Sequence, residues 1–344
     1  MDSTTTTFDA IVEQCRIALQ NNYRNGMKFQ AEQLFEAEVE LLRERGFQEL
    51  LIQVVNFGQQ LRQRNVPFHL IGSGGSSLIL FLSGISHVDP VHFDLHFQRL
   101  WTTANGQPPI VQFAARLRSD IEESQLILAE HASVHPMTEL EVIPSMFDDQ
   151  VATVSVTEAD HSTMLSLRSG ETDGIFQLES DTARRLLRRI QPTGIIGLAY
   201  VTALEQISHA SPDAVDEYMA RFQPGLNDQE EPSFLFQESI MSLLHLDAGL
   251  TLEDAYRFVQ AAAKRRMTSQ HNLWDATLQG LQTCHGTTGK VIFEELIESC
   301  RWAVCKAHHV ANAITSYRAA WLKTHYRVEF ERARSQYLSV EQGV

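Results

Sequence analysis

The segment best suited to bind an anion is a glycine-serine loop made of Gly72, Ser73, Gly74, Gly75, Ser76 and Ser77. It lies between a predicted strand at residues 68–71 and a predicted helix. Glycines allow a phosphate to approach the backbone, and successive amides with a helix N-terminus supply donors and partial positive charge. The Gly-Lys-Ser/Thr ending of a Walker A loop does not occur here. A tight strand-to-helix turn is the other explanation, and the loop alone does not decide between them.

Cationic side chains that could neutralise a bound phosphate form three groups in the second half of the chain. They are Arg184, Arg185, Arg188 and Arg189, then Lys264, Arg265 and Arg266, and then Lys306, His308 and Lys323. Together these groups could line a basic cleft in an otherwise acidic protein. The alternative for the arginine-rich helix is solvation of one helix face.

The sequence signal for a metal site is weaker than the signal for an anion-binding loop. Cys305 and His309 are four residues apart and could lie on one helix face, but a third and fourth ligand are not evident, so we expect no metal site. Serine, histidine and cysteine residues do not occur in the sequence context of a hydrolase either.

Composition is that of a globular protein, with 43% apolar and 21% charged residues among 344. The longest apolar run, residues 78–82, is too short to cross a bilayer, and the N-terminus does not resemble a signal peptide. We therefore expect a cytoplasmic protein with reduced cysteines and no membrane association. The net charge of −15 argues against tight, autonomous, non-specific DNA binding. We interpret acidic runs such as residues 36–44 as solvated helix faces.

Hydrophobic spacing predicts an α/β part followed by an α part. The predicted helices cover residues 29–45, about 50–57, a segment starting near residue 119, and nearly everything from residue 180 onward; the predicted strands are residues 68–71, 110–113 and 140–143. We expect three regions: a helical lead-in at 1–28, an α/β domain at 29–150 and a helical domain at 151–344.

Several segments occur in the same order as conserved blocks of one enzyme family. They are the glycine-serine loop, Gly-Ile-Ser-His-Val-Asp-Pro at 84–90, Phe-Asp-Leu-His-Phe-Gln-Arg at 93–99, Gly-Ile-Phe-Gln-Leu-Glu-Ser at 174–180, Leu-Leu-Arg-Arg-Ile-Gln-Pro at 186–192, Phe-Gln-Glu-Ser-Ile-Met at 236–241, and the stretch from Lys306 to Phe330. This order resembles the core of the C-family polymerases, the bacterial DNA polymerase III alpha subunit. The resemblance implies a small nucleotidyltransferase-like (polymerase beta-like) palm followed by thumb/fingers-like helices. It also implies a role in nucleotide binding for Lys306 and His308.

The same resemblance locates the acids of the family's two-metal site, and the chain departs from the pattern there. At the matching strand, the acidic positions are occupied by Pro109, Val111 and Phe113. The family's arginine before the loop glycine is Ile71 here, and its arginine pair corresponds to Val259 and Gln260, although the basic residues 264–266 are kept. We also expect a shortened segment between the acidic strands, and we expect the family's phosphoesterase-like, duplex-binding and clamp-binding modules to be missing.

Glu141, Asp148 and Asp149 remain as weak candidates for catalytic acids. Two-metal catalysis needs carboxylates that converge, so we expect no intact catalytic site and no cofactor, with Mg²⁺ relevant only to residual activity. The sequence favours a catalytically inactive polymerase-like binding protein linked to DNA replication, repair or DNA metabolism. We expect a protein partner, with a nucleotide or DNA at the basic cleft as a further ligand. The alternatives are an active nucleotidyltransferase with a rearranged acid set and an accessory DNA-binding module.

Overall fold

A computed structural model describes residues 7–24, 26–102, 108–116, 132–151, 154–221, 234–265 and 271–341. The chain divides into two compact units. Unit 1 comprises Met1–Thr153 and Glu329–Val344, and unit 2 comprises Val154–Val328. None of the helices within these described ranges is both long enough and apolar enough to span a membrane.

Unit 1 combines helices with one small sheet. Its elements are α1 (Phe8–Asn22), α2 (Gly26–Glu44), α3 (Gln48–Gln63), β1 (Phe68–Ile71), a 3-10 turn (Gly72–Ser76), α4 (Leu78–Leu82), α5 (Gln98–Trp101), β2 (Val111–Ala115), β3 (Ala132–Pro136), α6 (Glu139–Val142), a second 3-10 turn (Ile143–Phe147) and α7 (Asp148–Val151). The predicted helices at 29–45 and 50–57 are confirmed as α2 and α3.

The sheet has the order β1-β2-β3, with β1 antiparallel and β3 parallel to β2. Because side chains alternate along a strand, one face carries Leu70, Val111 and Phe113, which belong to the core formed with α1, α2 and α3. The opposite face carries His69 and His135, which flank Ala114 in the register of the three strands. The sheet therefore has one apolar face and one that carries polar residues.

The predicted strands at 68–71 and 110–113 are confirmed as β1 and β2, whereas the predicted strand at 140–143 is wrong. Residues 140–142 belong to α6 and Ile143 begins the second 3-10 turn, because Thr138 and Glu141 form a capping box that begins a helix. Thr138 N donates to Glu141 Oε2 at 2.6 Å, and Glu141 N donates to Thr138 Oγ1 at 3.4 Å. The third strand is Ala132–Pro136 instead. The helix predicted from residue 119 lies outside the described residues.

Unit 2 is helical, as predicted for the chain beyond residue 180. Its helices are α8 (His161–Ser169), α9 (Asp181–Ile190), α10 (Ile195–Ala210), α11 (Pro212–Arg221), α12 (Gln237–Ala248), α13 (Leu252–Ala263), α14 (His271–His285), α15 (Thr288–Ser299) and α16 (Lys306–His325), and α17 (Arg327–Glu341) follows. Helices α10 and α16 pack against each other and are buried along most of their lengths. The described part of the protein is thus mostly helical, with one small three-stranded sheet.

Candidate functional site

The glycine-serine loop is a tightly packed connection between β1 and α4. Gly72 has a φ of +64°, and a side chain there would collide with Gln112. A Cβ on Gly75 would lie 3.2 Å from Val88, closer than ordinary van der Waals contact. Ser77 is the N-cap of α4, with its Oγ accepting a hydrogen bond from Leu80 N at 3.1 Å. Backbone conformation and packing therefore account for these glycines without a ligand.

A buried glutamate from α2 occupies the N-terminus of α4. Glu38 Oε1 accepts hydrogen bonds from Ser77 Oγ at 2.5 Å and Trp101 Nε1 at 2.7 Å. Its Oε2 accepts from the amides of Leu78 at 2.9 Å and Ile79 at 3.2 Å. These donors are the ones that a phosphate at this helix end would need. An external anion would have to displace the protein's own carboxylate.

The sequence pattern does not single out Glu38, because the interpretation of residues 36–44 is that they are solvated. That interpretation is wrong for Glu38, whose side chain is 0% exposed, although Glu36 and Glu40 are exposed. The helical spacing could have revealed the burial of Glu38, because Phe35, Val39 and Leu42 lie on the same face of α2 and are buried. Burial raises the pKa of Glu38 to about 7, and the four hydrogen bonds oppose that rise.

The positions that the resemblance aligns with catalytic acids lie in the core of unit 1. Val111 and Phe113 are 0% exposed. The Phe113 ring contacts Phe57 edge-on at 5.0 Å and Phe68 at 5.8 Å between ring centroids. Pro109 is also buried. This part of β2 is thus a packing surface rather than a place for a hydrated cation.

The candidate acid Glu141 lies beside the polar face of the sheet, on α6. Its Oε1 is 3.6 Å from His69 Nε2, and both side chains are 7% exposed. Burial raises the pKa of Glu141, and its hydrogen bonds to Thr138 lower it. Within the described ranges, Glu141 belongs to no group of three potential metal ligands. The side chains of Asp148 and Asp149 lie outside the described residues.

Several of the predicted cationic residues bind backbone carbonyl groups of unit 2. Arg188 Nε donates to Ser169 O at 3.2 Å, and Lys323 Nζ donates to Asp173 O at 2.7 Å. Arg184 forms an ion pair of 2.7 Å with the Asp173 side chain. These three cations hold residues 169–173 in place, which is a structural role.

Other cations remain at the surface. Arg185 and Arg189 are exposed and, with Asp216 and apolar residues of α11, line a cavity of about 340 Å³. Lys264 and Arg265 are exposed at the end of α13. Arg266 lies outside the described residues. Four of the predicted cations, Arg185, Arg189, Lys264 and Arg265, are therefore exposed to solvent on unit 2.

Lys306 begins α16, where a second buried glutamate binds the helix N-terminus. Glu238, 1% exposed, accepts hydrogen bonds from Lys306 N at 2.8 Å and Ala307 N at 3.3 Å. Cys305 Sγ also donates to Glu238, at 3.6 Å. The Lys306 side chain is buried, with the residue 6% exposed. Residue types and spacing do not single out Glu238, although it lies inside one of the family-like blocks.

The two histidines that follow lie inside unit 2. His308 Nε2 is 3.2 Å from Asn312 Nδ2, and His309 Nδ1 is 3.1 Å from Thr202 Oγ1. Burial lowers the pKa of both imidazoles, and the proximity of His308 lowers that of His309 further. Both are therefore neutral at neutral pH and do not add cationic charge next to Lys306.

Comparison with known proteins decides the family. A model of the bacterial DNA polymerase III alpha NTPase domain matches residues 9–116, and a model of the alpha subunit finger domain matches residues 138–284. The chain belongs to the bacterial DNA polymerase III alpha family. The NTPase match includes Glu38 and the glycine-serine loop, and the finger match includes Glu141 and Glu238.

Individual relatives agree with the domain matches. The DNA polymerase III subunit alpha of Thermotoga maritima is 24% identical across 89% of this chain and 47% of the relative. Those of Buchnera aphidicola subsp. Schizaphis graminum and Mycoplasma genitalium are 25% and 29% identical, across 76% and 51% of this chain and 24% and 22% of each relative. This member of the polymerase III alpha family thus spans between about a fifth and a half of the length of these relatives.

Proposed function

We propose that this polymerase III alpha homologue does not incorporate nucleotides and acts as a binding protein in DNA replication, repair or DNA metabolism. The observation that carries the proposal is the burial of Val111 and Phe113 where the family-like pattern places catalytic acids. Metal-dependent phosphoryl transfer needs carboxylates that converge on two cations. Unit 1 would then keep a nucleotidyltransferase-like palm as a scaffold.

The glycine-serine loop supports the same proposal. The carboxylate of Glu38 takes the amides and hydroxyl that a triphosphate would otherwise bind. A triphosphate at this position would also meet the negative charge of the ionised Glu38 side chain. We therefore place the binding function with a protein partner, which suits a chain of net charge −15 better than an extended DNA interface does.

Primer extension tests the proposal directly. The full chain is incubated with a primed template, all four dNTPs and either Mg²⁺ or Mn²⁺, with the Thermotoga maritima relative as the positive control. We expect no extension above a blank without protein. Template-dependent extension that is abolished by Glu141→Gln would overturn the proposal and favour an active enzyme with a rearranged acid set.

A second candidate, an accessory DNA-binding module, is favoured by the exposed cations Arg185, Arg189, Lys264 and Arg265. Fluorescence anisotropy with a labelled primed duplex at about 50 and 200 mM salt tests it, because phosphate contacts make affinity fall steeply with salt. This candidate predicts that the double variant Arg185→Ala, Arg189→Ala binds more weakly, whereas Arg301→Ala on another surface does not. Absence of binding at the lower salt concentration would exclude this candidate.

A further inference from the structure

Three potential metal ligands meet at the ends of two helices in unit 2. Asp247 is the penultimate residue of α12, and Cys284 and His285 are the last two residues of α14. One ligand atom of each lies within 4.8 Å of the other two. His285 Nε2 and Asp247 Oδ2 are 2.9 Å apart. An imidazole, a thiol and a carboxylate therefore converge on one point.

The backbone holds the two helix ends together at this point. Gly280 of α14 packs directly on Ala248 of α12, and a Cβ on Gly280 would lie only 2.7 Å from the Ala248 Cα. This close approach needs glycine, because a side chain at position 280 would collide with the α12 backbone. The ligand atoms are therefore brought together by main-chain packing and not only by flexible side chains.

The C-termini of both helices contribute partial negative charge at this point, although α13 and α15 begin only a few residues further along the chain. Both helices end there, and each is followed at once by a glycine with positive φ, Gly249 at 72° and Gly286 at 62°. The C-terminus of a helix carries partial negative charge, so two such ends add to the charge of the Asp247 carboxylate. A cation bound between them would offset all three.

The ligand types select the class of cation. Thiolate and imidazole ligands suit Zn²⁺ and similar transition metals, whereas Mg²⁺ and Ca²⁺ prefer oxygen ligands. We propose that Asp247, Cys284 and His285 form a binding site for a divalent transition metal of the zinc type. Three protein ligands leave a fourth coordination position for water or another ligand. This site was not expected from the sequence, and it is independent of the lost polymerase acids.

Co²⁺ is the probe for the test. When Co²⁺ binds in a zinc-type site, a thiolate ligand produces a charge-transfer absorption band. The full chain is first stripped with a chelator under reducing conditions and then titrated with Co²⁺. We expect one ion per chain with a thiolate band, and displacement of that ion by Zn²⁺. All four cysteines are described: Cys284 is exposed, Cys305 is partly exposed, and Cys15 and Cys300 are buried, so that the variant Cys284→Ser is needed to assign the band.

Variants identify the ligands. Cys284→Ser should remove the thiolate band, and Asp247→Asn and His285→Ala should each weaken Co²⁺ binding by about tenfold or more. His209→Ala, at an exposed histidine on α10, is the matched control and should bind as the unmodified protein does. Circular dichroism verifies that each variant is folded. The proposal would be overturned if Co²⁺ titration of the unmodified protein gave no thiolate band, or if all four variants bound Co²⁺ with equal affinity.

A second readout uses the reactivity of the thiol. Zn²⁺ should slow the alkylation of Cys284 by iodoacetamide in the unmodified protein, because a metal-bound thiolate is less available to the reagent. The protection should disappear in Asp247→Asn and His285→Ala. Alkylation at the same rate with and without Zn²⁺ would contradict a metal-bound Cys284.

Discussion

Glu38 Oε1 accepts a hydrogen bond of 2.5 Å from Ser77 Oγ, so that an acid from α2 binds the last residue of the glycine-serine loop. The loop has the residue types of a phosphate-binding turn, but its helix-terminal donors face an internal carboxylate. Unit 2 repeats the arrangement with Glu238 at the start of α16. In both units a buried glutamate takes the place that an anionic ligand would occupy.

Glu38→Gln should lower the free energy of unfolding by roughly 2 kcal/mol or more, because an amide group would face donors that now bind a carboxylate. Urea denaturation followed by circular dichroism measures the change. Glu36→Gln is the matched control, since Glu36 is exposed on the same helix and should change stability little. Equal stability of the two variants would contradict the role assigned to Glu38.

The pH dependence of stability should carry a signature of Glu38. Its folded pKa of about 7 lies above the ordinary value of 4.5, so the folded state binds the proton more tightly. The resulting stabilisation is fully present below pH 4.5 and is lost as the pH rises through 7. We therefore expect the unmodified protein to lose stability relative to Glu38→Gln across that window. Parallel urea titrations at several pH values test this, and a constant difference would contradict it.

Phe113→Asp should prevent stable folding, although the family resemblance places an acid at this position. The ring is fully buried between Phe57 and Phe68, and loss of a buried Phe side chain alone costs about 3–5 kcal/mol. A buried carboxylate adds a desolvation penalty. Phe113→Leu, which remains apolar, is the control and should fold. Thermal unfolding distinguishes them, and a stable Phe113→Asp variant would show that this face of β2 accepts an acid.

Asp160→Ala should destabilise unit 2 by about 1 kcal/mol, the usual cost of removing an N-cap. Asp160 Oδ2 accepts from Thr163 N at 2.8 Å and Ser162 Oγ at 2.6 Å, and it contacts His325 Nε2 at 3.1 Å. Asp160→Asn keeps a capping oxygen and should cost less. Urea denaturation at pH 7 ranks the three proteins, and equal stability would contradict the capping role.

The same residue predicts an effect of acid. Burial would raise the pKa of Asp160, but hydrogen bonds from Ser162, Thr163 and His325 hold it below the ordinary value of 3.8. The stabilisation is therefore present above pH 3.8 and is lost as the pH falls through the folded pKa. The stability difference between the unmodified protein and Asp160→Asn should shrink below about pH 4. A difference that grows on acidification would contradict this.

The fold was predictable where its signal is local. The period-3.6 patterns of α2 and α3 and the apolar runs of β1 and β2 are visible in the sequence. The sequence of residues 140–143 predicts a strand, but a stretch of four residues is too short for its hydrophobic pattern to distinguish a strand from a helix. The capping box formed by Thr138 and Glu141 is the local signal that would have identified α6.

By itself, the sequence determined the family-like order of blocks, the helical character of the second half, and the apolar residues at Val111 and Phe113. Only the tertiary structure decided what surrounds each acid. Glu36, Glu38 and Glu40 are the same residue type on one helix, yet Glu38 alone of the three is buried. Its partners Ser77, Leu78 and Ile79 lie about forty residues along the chain. The environment of a carboxylate depends on such long-range packing, which residue types and spacing do not specify.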